Sequence, residues 1–128
     1  MSTCAEVIAR TLKEAGIGSV FGLPGGEVLT LIEALRQEDI SFVLTRHEAT
    51  AAFMADVTGQ ITGRPGVCLS TLGPGATNLL SGVANAYLDR SPLLAITGQM
   101  STEALPFCSH QRIDLPALFQ PVTKAGIV

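Results

Sequence analysis

Gly66-Val67-Cys68-Leu69-Ser70-Thr71-Leu72-Gly73-Pro74-Gly75-Ala76-Thr77-Asn78 is an apolar run that stops at a Gly-Pro-Gly turn and resumes in small, helix-compatible residues. A short continuous apolar run bounded by glycine fits a strand buried on both faces, and residues 76–88 fit the helix that follows it. The same order of strand, loop and helix recurs on either side. Upstream, Ser19-Val20-Phe21 precedes Gly22 and Pro24, after which Val28, Leu31, Ile32 and Leu35 repeat at i, i+3, i+4 and i+7. Residues 40–44 then precede an Ala-rich segment over 47–61. Downstream, and less clearly, Leu93–Thr97 precedes a long connection and a short helix near Leu115–Phe119. The chain opens on Thr3-Cys4-Ala5-Glu6, a capping-box pattern leading into Val7, Ile8, Leu12 and Ala15 at helical spacing, with Gly16 as the stop.

Strands that are continuous apolar runs, separated by helices of about 10 to 15 residues, imply right-handed crossovers and a parallel sheet covered on both faces. The fold class expected is α/β in a single domain spanning 1–128. In such sheets ligands bind at the carboxyl ends of the strands, where helix N-termini and turns converge. Those loops begin here at Gly22, Thr45, Gly73 and Gly98.

Composition narrows the function. Of the 128 residues 47% are hydrophobic and 15% charged, enough apolar material for a core. The net charge of -3 and the 5% aromatic content offer neither a basic stripe nor a stacking surface for nucleic acid. There is no uninterrupted apolar stretch of about 18 residues and no leader-like N-terminus, so a soluble cytoplasmic protein is expected. The three cysteines, Cys4, Cys68 and Cys108, are widely spaced and fit reduced thiols better than a disulfide framework or a Cys-x-x-Cys motif. His47 and His110 have no second ligand at helical spacing, so no metal site built by this chain is expected.

Glu48 follows a buried strand, stands beside His47 and opens a helix of small apolar residues. One reading is a carboxylate placed for chemistry; the other is a negative charge decorating a helix N-terminus, where the dipole favours it. Pro24-Gly25-Gly26 can be a tight turn alone. Gly73-Pro74-Gly75 has the look of an anion cradle, yet it lacks the lysine of a P-loop and the third glycine of a dinucleotide fingerprint. The small residues Ala49, Ala51, Ala52, Ala55, Gly82, Ala84 and Ala86 fit helix-to-sheet packing and a close dimer contact equally well.

Phe21-Gly22-Leu23-Pro24-Gly25-Gly26, Arg46-His47-Glu48, Gly66-Val67-Cys68-Leu69-Ser70-Thr71, Gly73-Pro74-Gly75-Ala76-Thr77-Asn78 and Leu94-Ala95-Ile96-Thr97-Gly98-Gln99 occur together and in this order. The set resembles the N-terminal pyrimidine-binding domain of thiamine diphosphate enzymes of the acetohydroxyacid (acetolactate) synthase type, over residues 3–128. The resemblance implies a parallel sheet of about five to six strands, within the usual range for sheets, with helices on both faces. It implies that Glu48 hydrogen-bonds N1′ of the cofactor's aminopyrimidine and favours the imino tautomer, whose 4′-nitrogen takes the thiazolium C2 proton. It places Pro24, Gly25, Thr71, Pro74 and Asn78 with Glu48 against the cofactor, and Gln111 on the substrate side of the catalytic centre.

The same resemblance implies what these residues do not supply. The family's Gly-Asp-Gly and later Asn-Asn metal signature has no counterpart here, so Mg²⁺ and the diphosphate are expected to be held by a partner domain or subunit. A central domain of the kind that holds FAD in the synthases is also outside these residues. A homodimer or homotetramer acting on a 2-oxo acid is the implied assembly. The synthases commonly have Phe-Gln-Glu in place of His110-Gln111-Arg112, Ser in place of Leu72, and Gly-Tyr-Ala-Arg in place of Val57-Thr58-Gly59-Gln60. These departures leave open a related 2-oxo acid decarboxylase, oxidase or lyase. A non-catalytic binding or assembly domain is the rival reading, and nucleotide binding on a generic doubly wound sheet rests on fold analogy alone.

Overall fold

The computed structural model describes residues 2–128. Strands and helices alternate along the chain: α1 (Cys4–Glu14), β1 (Ser19–Gly22), a 3-10 turn (Gly26–Val28) running into α2 (Leu29–Gln37), β2 (Ser41–Leu44), α3 (Glu48–Thr62), β3 (Gly66–Ser70), α4 (Pro74–Asp89), β4 (Leu93–Thr97) and α5 (Leu115–Phe119), with a second 3-10 turn at Gln120–Val122. The capping box at the start of α1 is formed, with Glu6 N–H donating to Thr3 Oγ1 at 3.3 Å and Thr3 N–H donating to Glu6 Oε2 at 2.9 Å. Gly16, at φ +78°, turns the chain out of the helix, a backbone conformation that glycine adopts without steric cost.

All strand pairs are parallel and the order is β2-β1-β3-β4. The sheet therefore has four strands among the described residues, where the family resemblance led us to expect five or six. The reason is local. In residues 98–114 the apolar stretch Ala104-Leu105-Pro106-Phe107-Cys108 is interrupted by proline and folds as turns, and residues 123–128 enter no ladder.

Side chains alternate across the sheet as the pleat requires. Val20, Val67 and Leu69, with Phe42 and Ile96, face the layer that contains Ala9 and Leu12 of α1 and Ala34 and Leu35 of α2. Phe21 and Cys68, with Val43, Leu93 and Ala95, face Ala51, Ala52 and Ala55 of α3 and Leu79 and Val83 of α4. Every residue of β3 is buried, and burial pushes the Cys68 thiol up to about 12.

Of these small residues, Gly82, Ala51, Ala52, Ala55 and Ala86 serve contacts inside the chain. A Cβ on Gly82 would stand 2.5 Å from Ala52 Cβ, and one on Gly66 or Gly59 would run into the carbonyl oxygens of Ala55 and Pro92. Ala51, Ala52, Ala55 and Ala86 are buried here. Helix α3 thus lies against the sheet at backbone distance, and α4 lies against α3.

One polar cluster is buried in this layer. Asp56, 1% exposed, accepts from Gln60 Nε2 at 3.0 Å and Asn85 Nδ2 at 2.8 Å. Burial works to raise its carboxyl, but the neighbouring Ser91 hydroxyl and the two amides outweigh it and hold the group below its ordinary value. Ser91 Oγ is buried and close without reaching hydrogen-bond geometry, so the amides are the defined donors.

Two outcomes follow from this packing. Gly66→Ala should cost about 1–3 kcal/mol through overpacking, while Gly18→Ala, where nothing lies within 4 Å, should be close to neutral in urea unfolding. Asp56→Asn should cost about 1–3 kcal/mol near neutral pH, because a buried acceptor pair is broken. Since the folded value of Asp56 lies below 3.8, its stabilisation is complete above that pH and is lost as pH falls through the folded value. The gap between Asp56→Asn and the unchanged protein should therefore close in strong acid.

Candidate functional site

The strand order reverses between β1 and β3. From β1 the chain moves outward to β2, and α3 then carries it back across β1 to β3. That reversal opens a crevice at the carboxyl edge, and the loops after β1, β2 and β3 all end there. The ladder continues into them, with Thr45 N–H donating to Gly22 O and Gly98 N–H donating to Ser70 O, each at 2.9 Å. Thr45, 6% exposed, also places its hydroxyl 3.2 Å from Gly22 O and 3.1 Å from His47 O, pinning the turn that leads into α3.

His47 caps α3, its Nδ1 accepting from Ala49 N–H at 3.1 Å, so the next residue begins the helix. That residue is Glu48, and it is only 6% exposed. A charge decorating a helix N-terminus would stand in water; this one is turned inward. Its Oε2 accepts from Asn78 Nδ2 of α4 at 3.0 Å. Its Oε1 faces the backbone of Gly75, where a Cβ would sit 3.2 Å from that oxygen and 2.7 Å from Thr71 Cγ2. Gly25 meets the same threonine from the other loop: a Cβ there would be 2.5 Å from Thr71 Cβ and Oγ1. Gly25, Thr71, Gly75, Asn78 and Glu48 thus surround one recess floored by backbone. Thr71 and Asn78 are half-buried, and Pro24 and Pro74 stand exposed at the rim, Pro74 within the first turn of α4.

Gln111 arrives by a different route. Its backbone packs on Gly73, where a Cβ would meet Gln111 Cβ at 2.5 Å, and its own φ is +53°. The Gln111 side chain is exposed and makes no hydrogen bond among the described residues. Sequence reasoning passed over Glu27, whose Oε2 accepts from Thr71 Oγ1 at 2.5 Å across the two loops. The partners are 44 residues apart, and the one hint was a carboxylate directly after Gly25-Gly26. Two surface depressions, of about 440 and 400 Å³, lie along α2 and include none of these residues. No group of three His, Cys, Asp or Glu among the described residues is arranged to hold a metal, and no described helix is long and apolar enough to cross a membrane.

Residues 2–118 match the family described as thiamine pyrophosphate enzyme, N-terminal TPP binding domain. The chain belongs to this family. Among its relatives, it is 47% identical over 120 residues to a probable acetolactate synthase large subunit of Methanocaldococcus jannaschii, covering 94% of this chain and 20% of that protein. It is 42% identical over 125 residues to the large subunit of acetolactate synthase isozyme 3 of Escherichia coli, covering 97% and 22%. It is 40% identical over 123 residues to an acetolactate synthase of Bacillus subtilis, covering 96% and 22%. The chain spans about a fifth of the length of these relatives.

In this TPP-binding domain the carboxyl group of Glu48, the amide of Asn78 and the backbone of Gly75 stand side by side. The carboxyl group and the amide offer hydrogen bonding, and Gly25 and Gly75 give Thr71 and Glu48 the room to pack together. The chemistry of the recess turns on Glu48 having an amide, not a second acid, as neighbour. Asn78→Asp should place two carboxylates within hydrogen-bond reach, raising one folded pKa above its unfolded value. Stability of that variant should then fall as pH rises from about 4 to 7, by roughly 1–3 kcal/mol, and recover on acidification, as read by thermal unfolding against pH.

Proposed function

We propose that the chain is the pyrimidine-binding, cofactor-activating domain of a thiamine diphosphate enzyme of the acetolactate synthase type. The observation that carries this is Glu48: an acid at the N-terminus of a helix, turned inward at the topological switch point, with one oxygen held by Asn78 and the other facing Gly75. In this reading Glu48 Oε1 shares a proton with N1′ of the aminopyrimidine, and Asn78 keeps the carboxyl in register for it. Gly25, Thr71 and Pro74, with Pro24 at the rim, shape the wall against which the ring is oriented. Gln111 stands toward the substrate. When bound, the cofactor supplies the carbon nucleophile and electron sink for decarboxylating a 2-oxo acid and passing the fragment to an acceptor.

The domain requires complementation. Diphosphate and Mg²⁺ are assigned to a diphosphate-binding domain or subunit, in a homodimer or homotetramer working in the cytoplasm, with FAD in a longer chain where a central domain holds it. The rival, a non-catalytic assembly module, is separated from this reading by titrating the chain with thiamine diphosphate and Mg²⁺, alone and with the diphosphate-binding part of a related synthase supplied in trans. The chain alone should bind weakly and indifferently to magnesium, and the combination should bind tightly and turn over a 2-oxo acid. Glu48→Gln should lower turnover by about 100-fold or more, the usual scale for removing a positioned proton-transfer group, with far less effect on binding. Undiminished turnover in Glu48→Gln would remove the proposed proton role.

A further inference from the structure

The backbone on either side of Glu48 is tied through the residue before it. The His47 carbonyl accepts from Thr45 Oγ1 and from Thr50 N–H, each at 3.1 Å. Beyond Glu48, the Ala49 N–H donates to His47 Nδ1 at 3.1 Å. A ring nitrogen accepts only when it carries no proton, so this contact defines the imidazole as neutral, with its hydrogen on Nε2. Electrostatics point the same way, because the partial positive charge of a helix N-terminus opposes a cation there. The carbonyl contacts are indifferent to protonation of the ring; the Nδ1 contact is not. An imidazolium has two N–H donors and no acceptor, and histidine is the side chain suited to change charge between about pH 5 and 8.

His47 is exposed, and among the described residues neither it nor the exposed Arg46 forms a salt bridge. The loops after β1 and β3 and the first turn of α4 bring one charged side chain, Glu27, which accepts from the Thr71 hydroxyl. The other histidine, His110, acts on Glu27. Glu48 itself is turned inward, with Oε2 on Asn78 and Oε1 facing Gly75. We propose that His47 is a positioning residue for Glu48 and makes its placement depend on pH: the neutral ring caps α3 and holds the carboxyl on Asn78, and protonation of the ring releases the cap and loosens that contact. The use of this device in cofactor activation rests on the reading of Glu48 given above. Loss of an N-cap contact corresponds to roughly 2- to 30-fold in the equilibrium between the ordered and the frayed first turn. Placement is therefore complete while the ring is neutral and weakens as pH falls through the titration of His47.

The experiment follows the isotopically labelled full chain by NMR from about pH 8 to about pH 5. It is done without cofactor, so failure of the proton role of Glu48 would show in the turnover of Glu48→Gln and not here. The ring nitrogens of His47 report its protonation, and the exchange protection factor of the Ala49 amide reports the cap. The protection factor of the Asn78 side-chain amide reports the contact with Glu48. In the unchanged chain His47 Nδ1 should be bare at the upper pH, and both protection factors should fall by roughly 2- to 30-fold with the midpoint of the His47 ring. His47→Asn, an uncharged cap with no proton to gain, should keep both factors high over the whole range. His47→Ala should lack them even at the upper pH, and His110→Gln should leave the midpoint where it is. An Ala49 amide that follows the His47 titration while Asn78 does not would reduce His47 to a local cap and overturn the positioning role. Asn78 protection that falls equally with pH in His47→Asn also overturns it, because the sensitivity then lies elsewhere. If His47→Ala does not fold, the comparison with His47→Asn decides.

Discussion

The arrangement depends on one crossover. To carry the chain from the edge strand β2 to β3, helix α3 must pass over β1, and it can do so only at backbone distance. Gly66 at the start of β3 and Gly59 within α3 leave no room for a side chain against the carbonyls of Ala55 and Pro92. Seating the helix this low brings its first residue over the carboxyl edge, between the loops that leave β1 and β3. Glu48 is buried because α3 is pressed onto the sheet. Asn78 reaches it because α4 is pressed onto α3 through Gly82 and Ala52. The geometry of the recess is thus a consequence of helix packing well below it.

Helix α3 carries two buried carboxylates, and the difference between them is informative. Asp56 is matched by the amides of Gln60 and Asn85 with the Ser91 hydroxyl close by, and such a group is what a fold needs to bury an acid without penalty. Glu48 has one side-chain donor and a second oxygen turned toward a bare glycine. A carboxylate with a single side-chain donor keeps accepting capacity for a further partner. That asymmetry distinguishes the two acids on physical grounds, independently of the family to which the chain belongs.

What the sequence revealed divides along the range of the interactions. The capping box at Thr3–Glu6, the stop at Gly16 and the short helix Leu115–Phe119 rest on neighbours a few residues apart, and they stand where local pattern put them. Helix α4 begins earlier than its apolar pattern suggested, because Pro74 is suited to a first turn in which its missing N–H is not needed. The number of strands was misjudged because it came from resemblance and not from an apolar run in these residues. Glu27 left only the hint of a carboxylate after Gly25-Gly26, since its meaning is a contact with Thr71 made across the switch point. The role of the alanines and glycines was undecidable from composition, since a small residue says only that something comes close.

The departures from the synthase pattern separate once they are placed in the structure. Leu72 is fully buried, so its substitution for serine concerns packing beneath the Gly73 turn and not contact with a ligand. In the segment Val57-Thr58-Gly59-Gln60, Gly59 packs on the Pro92 carbonyl and Gln60 donates to Asp56, so two of its residues belong to the seat of α3. His110-Gln111-Arg112 is different. It is an exposed loop whose backbone lies on Gly73 and whose histidine influences Glu27. If this chain serves a substrate other than that of the synthases, the chemical difference should be sought in that loop, because Leu72, Gly59 and Gln60 are taken up by the packing of the fold.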